Sequence, residues 1–74
     1  MKTADKIQAL NNALKSYGYR EGLFIHSIGK NCFIIGEYND IGGVDTHGLA
    51  YNYNEMNLFI KVYNQGNNDR FKLI

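Results

Sequence analysis

The apolar positions of this chain follow one period near its start and another after it. Ile7, Leu10, Leu14 and Tyr17 recur at spacings of three, four and three, with Ala9 and Ala13 beside them. Such a stripe lies on one face of an α-helix, so the spacing predicts a helix of about four turns over Thr3 to Tyr17. Thr3 is a residue type that caps a first turn, and Asp5 and Lys15 complement the two ends of the helix dipole. Gly18 supplies the left-handed conformation that ends a helix without a Cβ penalty.

After Gly22 the pattern shifts toward alternation. Leu23 to Ile28 and Cys32 to Tyr38 read as two strands around Gly29-Lys30-Asn31, a tight hairpin with Gly29-Lys30 as a type II′ corner. That register sets His26 opposite Phe33 and Phe24 opposite Ile35, with Leu23, Ile25, Cys32 and Ile34 on the other face. Asn39 to Gly48 is the longest irregular stretch. Leu49 to Asn54 alternates again, Asn54-Glu55 is a turn candidate, and Met56, Leu58, Ile60 and Val62 form an apolar face over Met56 to Tyr63. Asn64 to Asp69 is a polar turn cluster, and Arg70 to Ile74 closes as a short edge strand. The expectation is one α+β domain over residues 1–74: one N-terminal helix packed on a four- or five-stranded antiparallel sheet.

Size sharpens this picture. Seventy-four residues approach the lower limit for a domain that folds alone, where disulfides, a metal or a partner subunit usually help. Cys32 is the single cysteine, so no disulfide forms within the chain, and one cysteine with two histidines is too few for a closed zinc site without carboxylates. Self-association, as a homodimer, is the remaining support. The opening Met-Lys-Thr-Ala-Asp-Lys leads into an amphipathic helix and not an apolar run, so neither a secretory signal nor a membrane span is expected. With one cysteine and no Asn-x-Ser/Thr site, the expected compartment is the cytoplasm. Ten asparagines with no proline or tryptophan point to an AT-rich coding sequence, as in some bacteria and their phages.

The net charge of +1 comes from scattered cations. Nucleic-acid binders gain most of their affinity from clustered Lys and Arg. Lys61, Arg70 and Lys72 would converge only if the last two strands paired.

Little in the chain is catalytic. Asp45-Thr46-His47, framed by Gly42, Gly43 and Gly48, is the nearest approach to a site, with Asp40, Asp45 and His47 as candidate ligands or acid–base groups. Turn chemistry explains the same residues more simply. Gly42-Gly43 lacks the following Lys-Ser/Thr and helix start of a phosphate loop. Cys32 and His26 fall on opposite faces in the expected register, which argues against a nucleophile–base pair. No catalytic residue, cofactor or metal is assigned.

Aromatics carry the functional expectation. Tyr and Phe make up 14% of the chain, and Tyr51, Tyr53 and Tyr63 interleave with asparagines. On a strand face such residues stack on bases, or give a protein interface large contact area at low entropic cost. The first use needs electrostatic attraction that the charge balance lacks. In size, composition and lack of a catalytic set, the chain resembles accessory proteins of phages and mobile elements, some of which inhibit host enzymes or defence complexes by occluding a surface. The expected binding surface is Tyr51, Asn52, Tyr53, Asn54, Phe59, Lys61 and Tyr63 with Asp45 and His47. The expected function is a non-catalytic protein-binding module, with single-stranded nucleic-acid binding through sheet aromatics as the alternative.

Overall fold

The computed structural model describes residues 2–65, in the order α1 (Thr3–Ser16), β1 (Leu23–Gly29), β2 (Cys32–Tyr38), β3 (Val44–Tyr51) and α2 (Tyr53–Gln65). The α+β class stands. Among the described residues there are three antiparallel strands and a second helix in place of the four or five strands expected. The expected strand Arg70 to Ile74, and the polar cluster beyond Gln65, lie outside the described residues.

The first helix forms where the stripe placed it, but its caps differ. Lys2 is the N-cap residue and makes no side-chain capping bond, so Thr3 opens the helix without capping it. At the other end Gly18 has φ of +77°. Its N–H donates to the Lys15 carbonyl at 3.1 Å, and the Tyr19 N–H donates to the Leu14 carbonyl at 3.0 Å. This paired closure satisfies two carbonyls that the helix leaves open and turns Tyr19 back into the core. There the Tyr19 hydroxyl donates to the Ile60 carbonyl at 2.6 Å, tying the end of α1 to α2.

The sheet is a simple meander, β1-β2-β3. Its hairpin register differs from the expected one. Gly29 pairs with Cys32, so Lys30 and Asn31 form the tip, with Asn31 at a positive φ of 49°, and a bulge follows Ser27. His26 therefore faces Ile34, and Phe24 faces Gly36. Ile25 joins Ile35 and Phe33 on one side, while Ile34 moves to the other. Both faces of this hairpin are apolar, so alternation alone could not fix the register.

The loop expected over Asn39 to Gly48 is shorter. Asn39 organises a turn by accepting from the Gly43 N–H at 2.8 Å and the Ile41 N–H at 3.2 Å, and β3 then begins at Val44. Phe33 pairs with Tyr51 and Ile35 with His47, so β3 carries a bulge around Gly48, whose φ is +79°.

The largest correction is α2. Met56 to Tyr63 fits period two through Met56, Leu58, Ile60 and Val62, and also period 3.6 through Met56, Phe59, Ile60 and Tyr63. The expected turn at Asn54-Glu55 is the first turn of the helix. The Asn52 side chain accepts from the Glu55 N–H at 2.9 Å, and the Glu55 carboxylate accepts from the Asn52 N–H at 3.2 Å. This reciprocal capping box commits the segment to helix. The side chain of Asn31, at the hairpin tip, accepts the next free amide, that of Tyr53, at 3.1 Å.

Both helices lie on one side of the sheet. Leu10, Leu14, Tyr19, Ile25, Phe33, Ile35, Met56 and Ile60 form a single buried cluster there. Asn11 of α1 accepts the outward N–H of Ile25 at 2.8 Å, occupying a group that the edge of β1 would otherwise present to another strand.

Candidate functional site

The second helix carries more apolar surface than its core contact uses. Met56 and Ile60 are fully buried beneath it. Leu58 and Val62, four residues apart on another side, are 62% and 54% exposed. Between these two sides run Phe59 and Tyr63. Phe59 stacks on Tyr51 of β3 with ring centroids 5.0 Å apart, and Tyr63 packs on Phe59 at 4.5 Å. Tyr51, Glu55, Leu58, Phe59, Val62 and Tyr63 together line a groove of about 370 Å³. The ladder Glu55, Leu58, Phe59, Val62 has the spacing i, i+3, i+4, i+7 of one helix stripe, and the bulged edge of β3 places Tyr51 alongside it. Its walls are apolar apart from Glu55 and the tyrosine hydroxyls, so it suits an apolar ridge better than a polar metabolite.

The expected surface therefore divides. Tyr51, Phe59 and Tyr63 meet, though on a helix and an adjacent strand edge and not across one sheet face. Tyr53 sits with its ring 5.9 Å from the Lys6 ammonium, toward α1. Asn52 is the helix cap, and Asn54 and Lys61 are exposed on α2. Leu58 and Val62, which the alternating pattern sets on the apolar face of a strand with Met56 and Ile60, complete the groove instead. The capping pair Asn52 and Glu55, three residues apart before an apolar run, was the signal that would have exposed them.

Asp45 and His47 belong to β3, not to a loop, and serve structural bonds. Asp45 accepts from the Asn39 side-chain amide at 3.1 Å. His47 Nε2 lies 3.2 Å from a Glu37 carboxylate oxygen. Arg20 grips the same carboxylate in a two-pronged pair, with Nη2 at 2.7 Å from Oε1 and Nη1 on Oε2. Hydrogen bonding to Arg20 holds the Glu37 carboxyl down at about 2, and the bond to His47 acts in the same direction. The same pair raises the Arg20 guanidinium above its ordinary value. Neither Arg20 nor Glu37 stood out in the sequence, where seventeen positions separate them. Among the described residues, no three His, Cys, Asp or Glu side chains gather as metal ligands would.

A pH dependence follows from this pair. Above about 4.5, the ordinary value, Glu37 is ionised in both folded and unfolded chains and its contribution is complete. Between about 4.5 and about 2 the unfolded chain takes up the proton first, so stability falls with acidification. Thermal melts across that window are expected to show a downward slope that Glu37→Gln flattens. Parallel slopes in the two proteins would mean that the pair does not couple folding to protons.

His26 and Cys32 are on the same, helix-free side of the sheet, contrary to the expectation of opposite faces, because the register moved by one. His26 packs edge-on to Phe24, with centroids 6.3 Å apart.

Among the described residues, no helix is long and apolar enough to cross a membrane. No protein-family model, curated protein or solved structure matches this chain.

Proposed function

We propose that this chain is a small, non-catalytic protein-binding module of the cytoplasm. It acts by covering a surface of its partner, in the manner of a phage or mobile-element inhibitor of a host enzyme or defence complex. The groove between α2 and the edge of β3 carries this reading. Exposed Leu58 and Val62 flank the stacked Tyr51, Phe59 and Tyr63, and a polar helix face would serve a free-standing domain better. Aromatic and aliphatic anchors beside a shallow groove are the usual energetic centre of a protein interface. The occupant fitting that shape is a short amphipathic helix or extended segment offering two or three apolar side chains.

The alternative, a single-stranded nucleic-acid binder, loses ground on geometry. Tyr53 is turned toward α1, and Phe59 is stacked on Tyr51 and packed at a tilt against Tyr63, where a base would have to displace a ring.

Leu58→Asp with Val62→Asp tests the proposal, because both side chains are more than half exposed and neither belongs to the buried core. Affinity capture from a lysate of the source cells, read by mass spectrometry, is expected to lose its specific partner with this variant while circular dichroism is unchanged. Capture equal to that of the unaltered protein would remove the groove as the binding site. Titration with labelled oligonucleotides at low salt decides the alternative: a steeply salt-dependent complex would favour it.

A further inference from the structure

The groove on α2 opens beside the point where the described chain leaves that helix. Val62 and Tyr63 line it within three residues of Gln65, the last described residue. Among the described residues no element covers Leu58 and Val62, and both stay more than half exposed. Residues 66–74 follow directly and lie outside the described residues. Their sequence opens with Gly66-Asn67-Asn68-Asp69, a run of turn-forming types, and continues as Arg70-Phe71-Lys72-Leu73-Ile74. Apolar and cationic residues alternate in that second part, and the groove beside it is apolar with one anionic residue.

We infer that the groove is filled by residues 70–74 of the same chain, with Phe71 and Leu73 as the apolar side chains seated in it. Spacing is the first match. On an extended backbone Phe71 and Leu73 point the same way, about 6.6 Å apart at about 3.3 Å per residue. Leu58 and Val62 stand about 6 Å apart along α2, at about 1.5 Å per residue. Reach is the second match. Val62 lies about 4.5 Å back along the helix from Gln65, and the five residues from Gly66 to Arg70 span up to about 17 Å. That length lets the chain reverse and set Phe71 beside Val62 and Leu73 beside Leu58. Charge is the third. Glu55 is the single ionic side chain among the described residues that line the groove, and Arg70 and Lys72 alternate with the apolar pair. Linkage then ranks the occupants. A short connection holds the segment at an effective concentration of about a millimolar, so it precedes a separate molecule of equal affinity present at micromolar levels. Filling of the groove stands on these matches alone, whereas its consequence rests on the reading that the groove seats a partner. On that reading the segment is the partner's competitor, and the partner's apparent affinity falls with the fraction of molecules whose groove is open.

Nuclear Overhauser contacts in the isotope-labelled full chain test this with no partner present. Contacts from the Phe71 ring to the Val62 methyls, and from the Leu73 methyls to those of Leu58, are expected. Their relative strength is expected to stay the same on dilution. Phe71→Ser with Leu73→Ser is expected to abolish them and shift the Leu58 and Val62 methyl resonances, while the amide resonances of β2 hold their positions. Absence of both contacts in the unaltered chain would overturn the inference. Contacts that fade on dilution would overturn it too, because they mark a second copy as the cover. An empty groove in these spectra removes the segment as occupant, and a failed capture from lysate removes the partner, so the two failures are read separately.

Discussion

Phe33→Ala is expected to unfold most of the protein or lower its melting temperature by about 15–30 °C. Phe33 is the largest fully buried side chain, and it lies on the central strand beneath both helices. Truncating a buried phenylalanine removes its transfer energy and leaves a cavity that a rigid sheet cannot close, at a cost of about 3–5 kcal/mol. A chain of this length holds only about 4–11 kcal/mol in total, at about 0.05–0.15 kcal/mol per residue. Each kcal/mol shifts the melt of so small a domain by about 4–8 °C. Ile34→Ala, one residue along the same strand, is the informative control. Its side chain points away from the helices, so its removal is expected to move the melt roughly half as far. Thermal melts by circular dichroism measure both. Should Ile34→Ala prove the more damaging, the hairpin register is the other one, with Phe33 facing outward.

That comparison also locates the limit of what the residues alone disclose. The first helix was legible because its stripe is flanked by polar positions and Gly18 can end it in only one way. The hairpin was legible as a hairpin but not in register. With Phe24 and Ile34 on one side and Ile25, Phe33 and Ile35 on the other, both pairings bury apolar side chains, and a bulge after Ser27 makes the choice. The second helix was hidden by density of apolar residues. Six of the eight positions from Met56 to Tyr63 are hydrophobic, and a run so rich satisfies both periods at once. Its decisive feature was polar and sat upstream, in the reciprocal bonds of Asn52 and Glu55. The candidate site inherited the same ambiguity. Tyr51, Phe59 and Tyr63 converge because a helix sets 59 and 63 on one side, whereas a strand would have pointed Tyr53 with Tyr51. The ion pair of Arg20 and Glu37 needed three-dimensional placement, since nothing local couples the end of α1 to the far end of β2.

Gly36→Val is expected to destabilise the fold by about 1–2 kcal/mol, and Val44→Ala is expected to restore most of that loss. A glycine inside a strand ordinarily weakens it by about 0.5–1 kcal/mol, so adding a side chain there would by itself help. At Gly36 the space is already taken. A Cβ would lie 2.9 Å from Val44 Cγ1 and 3.4 Å from both His26 Cβ and Phe24 Cζ, all on the helix-free side. Valine at position 44 has little rotameric freedom with which to withdraw, and overpacking of this kind costs about 1–3 kcal/mol. Removing its γ-methyl groups opens the contact, so the double variant should show a coupling of about 0.5–3 kcal/mol in chemical denaturation. Val44, His26 and Phe24 close over the glycine on the helix-free side, so the loss measures how firmly these three neighbours are held. If Gly36→Val stabilises the chain instead, those neighbours yield easily and the close contact with Val44 is relieved at little cost.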